Sequence, residues 1–203
     1  MSQPTRLIFV RHGETDWNQE DRWQGHADTE LGETGKRQAE AAAKAVIAMK
    51  PQALYSSDLR RALYCAEIIA AEVGLSVIAT PELRERSVGE WEGLNEDEVI
   101  ERFPAERLAH MAHPGTFRAP GGESRADVCS RVATFLDEVL QDHPGQVVAL
   151  ITHAGPIKSA VCRALGAPVP AWPKMQVDLG SITIVEGSPG RLRLLTLNHI
   201  PTM

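Results

Sequence analysis

Cysteine is scarce, with only Cys65, Cys129 and Cys162 in a chain of 203 residues. The odd count and the lack of any C-x-x-C spacing exclude a disulfide scaffold and a zinc knuckle, and they suit a reducing compartment. No apolar stretch reaches the length of a membrane span. The opening residues, MSQPTRLIF, lack the basic start, long apolar run and small-residue cleavage signal of a secretory leader. A cytoplasmic protein with no membrane partner is therefore expected. A surplus of positive charge is also missing, since 21 Lys and Arg against 27 Asp and Glu leave a formal charge of −6. No nucleic-acid partner is expected, and any cationic site must be local. Trp17, Trp23, Trp91 and Trp172 are scattered and not interleaved with basic residues, so they form no base-stacking platform.

Several motifs are absent as well. There is no G-x-S-x-G nucleophile elbow and no G-x-G-x-x-G after a strand, which removes the motif basis for a serine hydrolase or a dinucleotide enzyme. Gly32-Glu33-Thr34-Gly35-Lys36 superficially resembles a nucleotide-binding loop. However, Glu30 stands where the first glycine belongs and Arg37 where the Ser or Thr belongs, and no buried strand precedes it. Repeats, low-complexity tracts and linkers are lacking too.

The composition that remains, 43% apolar and 24% charged, is that of a globule long enough to bury one sizeable core. Leu7-Ile8-Phe9-Val10 and Val147 to Ile151 read as strands buried on both faces. Shorter strands are expected at 53–55 and 77–78. Helices are expected from Thr34 to about Met49 and along the stripe Leu59, Ala62, Ala66, Ile69 and Val73, the latter capped by Ser57 or Asp58 and ended by Gly74. Another begins at the Ser124-x-x-Asp127 pattern, and a last one has Pro156 near its first position and Gly166 at its end. Ile182 and Ile184 face Leu192, Leu194 and Leu197 across a turn at 186–190, as in a hairpin near the sheet edge. The alternation of strand and helix predicts an α/β fold, a three-layer sandwich with a mostly parallel central sheet covered by helices on both faces. One domain over 1–203 is expected, with a loop and short-helix excursion at about 81–123, where helical pieces fall near 94–102 and 104–111.

In open α/β sheets ligands bind beyond the C-terminal ends of the strands. Arg11 and His12 follow the first strand, Arg61 sits in the first turn after the second, Glu85 lies in the excursion after the third, and His153 follows the strand ending near Ile151. This set suits a phosphoryl group. Arginine forks neutralise nonbridging oxygens, a neutral imidazole can attack phosphorus, and a carboxylic acid can protonate the departing alkoxide. Helix N-termini near Asp58 and Ala154 would add N–H groups. Each residue also has a plainer reading, because a strand-end His is ordinarily a hydrogen-bonded structural residue and a strand-end Arg a surface one. A metal bound by His12, His26, His153 and Glu85 is the other chemical option. No His-x-x-His or His-Glu-x-x-His spacing supports it, and two arginines nearby would repel a cation.

Arg11-His12-Gly13-Glu14-Thr15, followed by Trp17-Asn18, resembles the signature of the histidine phosphatase superfamily, the phosphoglycerate-mutase-like enzymes. Ser57-Asp58-Leu59-Arg60-Arg61-Ala62 is similar to its second arginine segment and Leu83-Arg84-Glu85 with Gly89 to Gly93 to its acid segment. Gly121-Gly122-Glu123-Ser124 and Thr152-His153-Ala154-Gly155 follow in family order. The resemblance implies that His12 is the nucleophile and Glu85 the proton donor. Arg11, Arg61 and His153 would bind the phosphoryl group, with Asn18, Gln24, Gly25 and Ala154 beside it, and Arg60 would be only a neighbour. No metal and no organic cofactor are implied. Ala154 stands where most relatives carry Gly. The stretch from Met111 to Glu123 has one arginine, Arg118, in place of the paired-arginine insertion of the mutases. Hydrolysis of a small-molecule phosphomonoester is thus expected over a cofactor-dependent mutase, or over a non-catalytic member that binds a phospho-ligand or a protein. His26, Arg86, Arg118 and Trp91 are candidate substrate-side residues. Either a monomer or a homodimer is compatible with the sequence.

Overall fold

A computed structural model describes residues 3–202, so both ends of the expected 1–203 unit fall outside the described residues. The sheet holds six strands, β1 (Thr5–Arg11), β2 (Ala53–Ser57), β3 (Ile78–Thr80), β4 (Val147–Thr152), β5 (Ile182–Ser188) and β6 (Arg191–His199), in the order β3-β2-β4-β1-β5-β6. The first four of that order run parallel, whereas β5 pairs antiparallel with β1 and β6 antiparallel with β5. This is the mostly parallel three-layer α/β fold that the strand-helix alternation predicts.

Side-chain alternation along the central strands fills both layers. Leu7 and Phe9 of β1, with Val148 and Leu150 of β4, face helices α6 (Arg125–Asp142) and α7 (Ala154–Leu165), where Val132, Leu136, Ile157 and Ala160 complete one core. Ile8 and Val10, with Ala149 and Ile151, face α2 (Glu33–Ala48) and α3 (Arg60–Val73). Those helices meet the sheet through Ala39, Ala42, Ala43, Ala62 and Ala66, small residues that let them lie close to it. The Ser124–Asp127 capping box starts α6, as the sequence pattern predicts. Neither Ser57 nor Asp58 caps α3, however. Its N-cap is Leu59, with no side-chain bond, because Asp58 is held by Arg84 at 2.6 Å and Ser57 is engaged elsewhere. One further expectation shifts, since Pro156 is the third residue of α7. A one-turn helix α1 (Asp16–Gln19), too short for any periodic signal and not anticipated, follows β1.

No strand lies between Thr80 and Val147. The segment instead carries short helical turns and two helices, α4 (Glu96–Arg102) and α5 (Pro104–Ala112), around a small core of Val88, Trp91, Val99 and Ala119. His110 is buried there against Trp91 and Phe117, at ring-centroid distances of 5.6 and 5.4 Å, and neither ring nitrogen has a hydrogen-bond partner among the described residues. Burial, with Arg86, Arg107 and Arg125 nearby, lowers its pKa to about 4. A desolvated polar group without a partner costs about 1–3 kcal/mol. His110→Phe, which keeps the ring and removes the nitrogens, is therefore expected to raise the melting temperature by a few degrees in thermal unfolding. A lower melting temperature would contradict this account.

Candidate active site

Three parallel strands end at one edge of the sheet. Arg11, the last residue of β1, is in register with Thr152, the last of β4, and Ser56 of β2 is in register with Ile151. His12, Ser57 and His153 therefore leave neighbouring strands at the same level. The His12 amide donates to Thr152 O at 2.9 Å, which extends the ladder by one rung and holds the histidine at its top. The turn after it is tight. A Cβ on Gly13 would stand 2.1 Å from Gly35 O, so both glycines are needed for α2 to pack beneath the His12 loop.

The two imidazoles lie edge to face, with centroids 5.0 Å apart. His12 Nδ1 lies 2.7 Å from Gly13 O. A carbonyl can only accept, so Nδ1 carries the proton and Nε2 presents a lone pair. His153 Nε2 is 2.9 Å from Ser57 Oγ, while its Nδ1 is buried with no partner among the described residues. Arg11 donates through Nη1 to Val177 O at 2.6 Å. Arg61, fully buried, donates through Nη1 to Ala27 O at 2.6 Å and through Nη2 to Gly25 O at 2.8 Å. In both arginines Nε is buried without a partner among the described residues. The carboxylate of Glu85 accepts from Gly155 N at 3.1 and 3.2 Å and from Arg86 N at 2.8 Å. A Cβ on Gly155 would stand 2.2 Å from Glu85 Oε1, so α7 can hold Glu85 by its second amide only because that residue is glycine.

These groups border a cavity of about 380 Å³. Arg11, His12, Arg61 and Glu85 line it, as do Asn18, Gln24, Gly25 and Ala154, and His153 packs against the His12 ring. Asn18 Oδ1 is bound to Thr15 N and Thr15 Oγ1, which fixes the amide, and Gly25 serves through its carbonyl on Arg61. Arg60 is an outward neighbour, paired with Asp28 and Glu30. Of the substrate-side candidates, Arg86 alone lines the cavity. Trp91 is fully buried in the small core, Arg118 is bound to Asp127 on the surface, and His26 Nε2 sits 2.9 Å from Glu85 O outside the wall. The sequence reading missed Ser57, Arg125 and Lys158. Ser57 ends a buried strand as Arg11 does, and Lys158 lies four residues after Ala154 on one face of α7, so position puts both near the strand ends without saying which groups they meet. Among the described residues no group of three His, Cys, Asp or Glu side chains could hold a metal ion.

Burial, reinforced by Arg61 and Arg11, keeps the pKa of His12 well below 6.5. Burial also lowers that of His153, with Arg61, His12 and Arg11 adding to it. Both rings are therefore neutral near neutrality. Between the folded values and about 6.5 the unfolded chain binds more protons at these histidines and at His110, so stability rises with pH across that window. Their contribution is complete above about pH 7 and is lost as pH falls, by up to about 1.4 kcal/mol per histidine per pH unit. Urea midpoints should be flat above that pH and drop steadily below about 6.5. A midpoint unchanged down to about pH 5 would contradict buried neutral histidines.

The strand-end location, the paired imidazoles and the inward arginines define an enzyme-like site built for a tetrahedral oxyanion. Residues 7–200 match the family model for histidine phosphatase superfamily (branch 1), and the chain belongs to that family. It is 34% identical over 193 residues to phosphoserine phosphatase 1 of Hydrogenobacter thermophilus, covering 95% of this chain and 92% of the relative. It is 38% identical over 178 residues to glucosyl-3-phosphoglycerate phosphatase of Mycobacterium tuberculosis, covering 84% and 79%. The solved structure of a mycobacterial glucosyl-3-phosphoglycerate phosphatase complexed with VO3 superposes with a TM-score of 0.85 at 35% identity, over 96% of this chain and 99% of that one. No helix of the described residues is long and apolar enough to cross a membrane.

Proposed function

We propose that the protein is a metal-independent phosphomonoesterase acting on small molecules through a phosphorylated His12. One observation carries this reading: three buried nitrogens, Arg11 Nε, Arg61 Nε and His153 Nδ1, have no partner among the described residues and belong to the residues packed around the His12 ring. Partnerless buried donors are costly unless a bound acceptor satisfies them, and a phosphoryl group offers three oxygens. The membership of the family supports phosphatase chemistry at this place.

In the first step the His12 Nε2 lone pair attacks phosphorus and the ester P–O bond breaks. The departing oxygen takes the proton of the Glu85 carboxyl group. In the second, water attacks the phosphohistidine and gives a proton to Glu85, the P–N bond breaks, and neutral His12 and phosphate result. Arg11 and Arg61 offset the charge on the equatorial oxygens in both steps. Ser57 acts through His153. A proton donated from Ser57 Oγ to Nε2 leaves the ring proton on Nδ1, the tautomer that can donate to the phosphoryl oxygen. Asn18, Gln24 and the Ala154 turn shape the mouth of the cavity.

A panel of phosphomonoesters assayed for free phosphate, with and without a chelator, tests the proposal. Turnover unaffected by chelation is expected. Activity abolished by chelation and restored by a divalent cation would overturn metal independence. Conversion of 3-phosphoglycerate to 2-phosphoglycerate faster than phosphate release, with 2,3-bisphosphoglycerate supplied, would overturn hydrolysis in favour of a mutase.

A further inference from the structure

The cavity wall carries six cations, Arg11, Arg22, Arg61, Arg86, Arg125 and Lys158, against two carboxylates, Glu85 and Asp21, in a chain whose net charge is −6. One phosphoryl group does not account for that concentration. Arg22 is neutralised by Glu20 and Glu98, at 2.6 and 2.9 Å. Arg11 and Arg61 flank His12. Among the described residues none of the remaining three, Arg86, Arg125 and Lys158, makes an ion pair with a carboxylate.

These three are held in place by contacts other than ion pairs, and Glu85 is the carboxylate whose attraction acts on both Arg86 and Lys158. Arg86 is only 7% exposed, lies 5.8 Å from the Trp23 ring centroid, and donates to the backbone oxygen of Glu123 at 3.3 Å. Arg125, the first residue of α6, lies 5.9 Å from the Trp172 ring centroid, and its Nη1 is buried with no hydrogen-bond partner among the described residues. Burial lowers the pKa of the Lys158 ammonium from its usual range, with Glu85 opposing and Arg11 and Arg125 adding to the effect. One carboxylate, Glu85, among three cations leaves the cluster with a net positive charge that a bound anion would offset.

We propose that Arg86, Arg125 and Lys158 form a second anion subsite, so that the alcohol half of the substrate carries a carboxylate or a further phosphoryl group in addition to the ester that is hydrolysed. The inference rests on the phosphatase reading and assigns its substrate class. The subsite lies on the leaving-group side because Arg86 and Lys158 flank Glu85, the group that protonates the departing oxygen, and Arg125 is close enough to both cations to act on their charge. Arg86 follows Glu85 in the chain, and Lys158 is one turn along α7 from Gly155, whose amide holds the Glu85 carboxylate.

Matched esters test it with the purified protein: 3-phosphoglycerate against glycerol 3-phosphate for a carboxylate, and fructose 1,6-bisphosphate against fructose 6-phosphate for a second phosphoryl group. In at least one pair the doubly anionic ester should have the higher kcat/KM by about tenfold or more, as expected for one charge-assisted contact set. The preferred pair identifies the anion. Arg125→Gln and Lys158→Gln should each bring that ratio towards unity, chiefly by raising KM for the doubly anionic member. Glycerate should also compete with p-nitrophenyl phosphate on the unaltered protein more strongly than glycerol does if the anion is a carboxylate. Ratios near unity in both pairs, with p-nitrophenyl phosphate still hydrolysed, would overturn the subsite and leave the phosphatase reading standing. An equal loss on both members of a pair in the variants would assign these cations to the transferred phosphoryl group and also overturn it. No hydrolysis of any ester would bring down both readings.

Discussion

His12→Ala should lower phosphomonoester turnover by about ten-thousandfold or more, the scale of losing a nucleophile that works as a unit with its neighbours. Alanine has no lone pair to offer phosphorus, whereas Arg11, Arg61 and His153 remain in place to hold the anion. The variant should therefore still bind inorganic phosphate, seen as a raised melting temperature at saturating phosphate. In the unaltered enzyme, mixing with labelled substrate and quenching in alkali should trap label on the protein that survives base and is lost in acid. His12→Ala should trap none. Full turnover by the variant would end the phosphohistidine reading, and a loss of phosphate binding together with turnover would mean that the ring is needed to build the site.

The sequence revealed the sheet and the residues at its strand ends for one reason. A strand buried on both faces is a short, unbroken apolar run, and Leu7 to Val10 and Val147 to Ile151 are such runs. Where they stop, Arg11 with His12 and Thr152 with His153 must emerge at the edge, and parallel pairing sets them side by side. What could not be read was how side chains outside those runs choose their partners. Asp58 looks like a helix cap by local rules, yet it is taken by Arg84 from a distant segment. Trp91, Arg118 and His26 lie in or near segments that reach the site, but the excursion has its own small core, which buries Trp91 and turns Arg118 outward.

The missed residues have the same origin. Ser57 carries no charge and matches a cap pattern, so only the pairing of β2 with β4 reveals that its hydroxyl meets His153. Arg125 and Lys158 come from helices α6 and α7, and each looks like a solvated helical cation until those helices are packed side by side beneath Trp172 and beside Glu85. Periodicity assigns a helix face, whereas the neighbour of that face depends on the crossover connections.

Glu85→Gln should separate the two proton transfers assigned to this residue. The amide keeps the size of the carboxylate and an oxygen for the Gly155 N–H group, so the geometry that Gly155 permits is retained. It cannot release an acid proton. For an alkyl ester, whose alkoxide is a poor leaving group, the first step should slow by about 10²–10⁴-fold, the usual worth of a positioned general acid. For p-nitrophenyl phosphate, whose leaving group departs without help, that step should be nearly spared. The second step, in which Glu85 takes a proton from water, should then become limiting, so nitrophenol should appear as a burst equal to the enzyme concentration and be followed by slow release of phosphate. No burst should appear with the alkyl ester. Equal losses on both substrates with no burst would mean that Glu85 positions the α7 turn and its neighbours but transfers no proton.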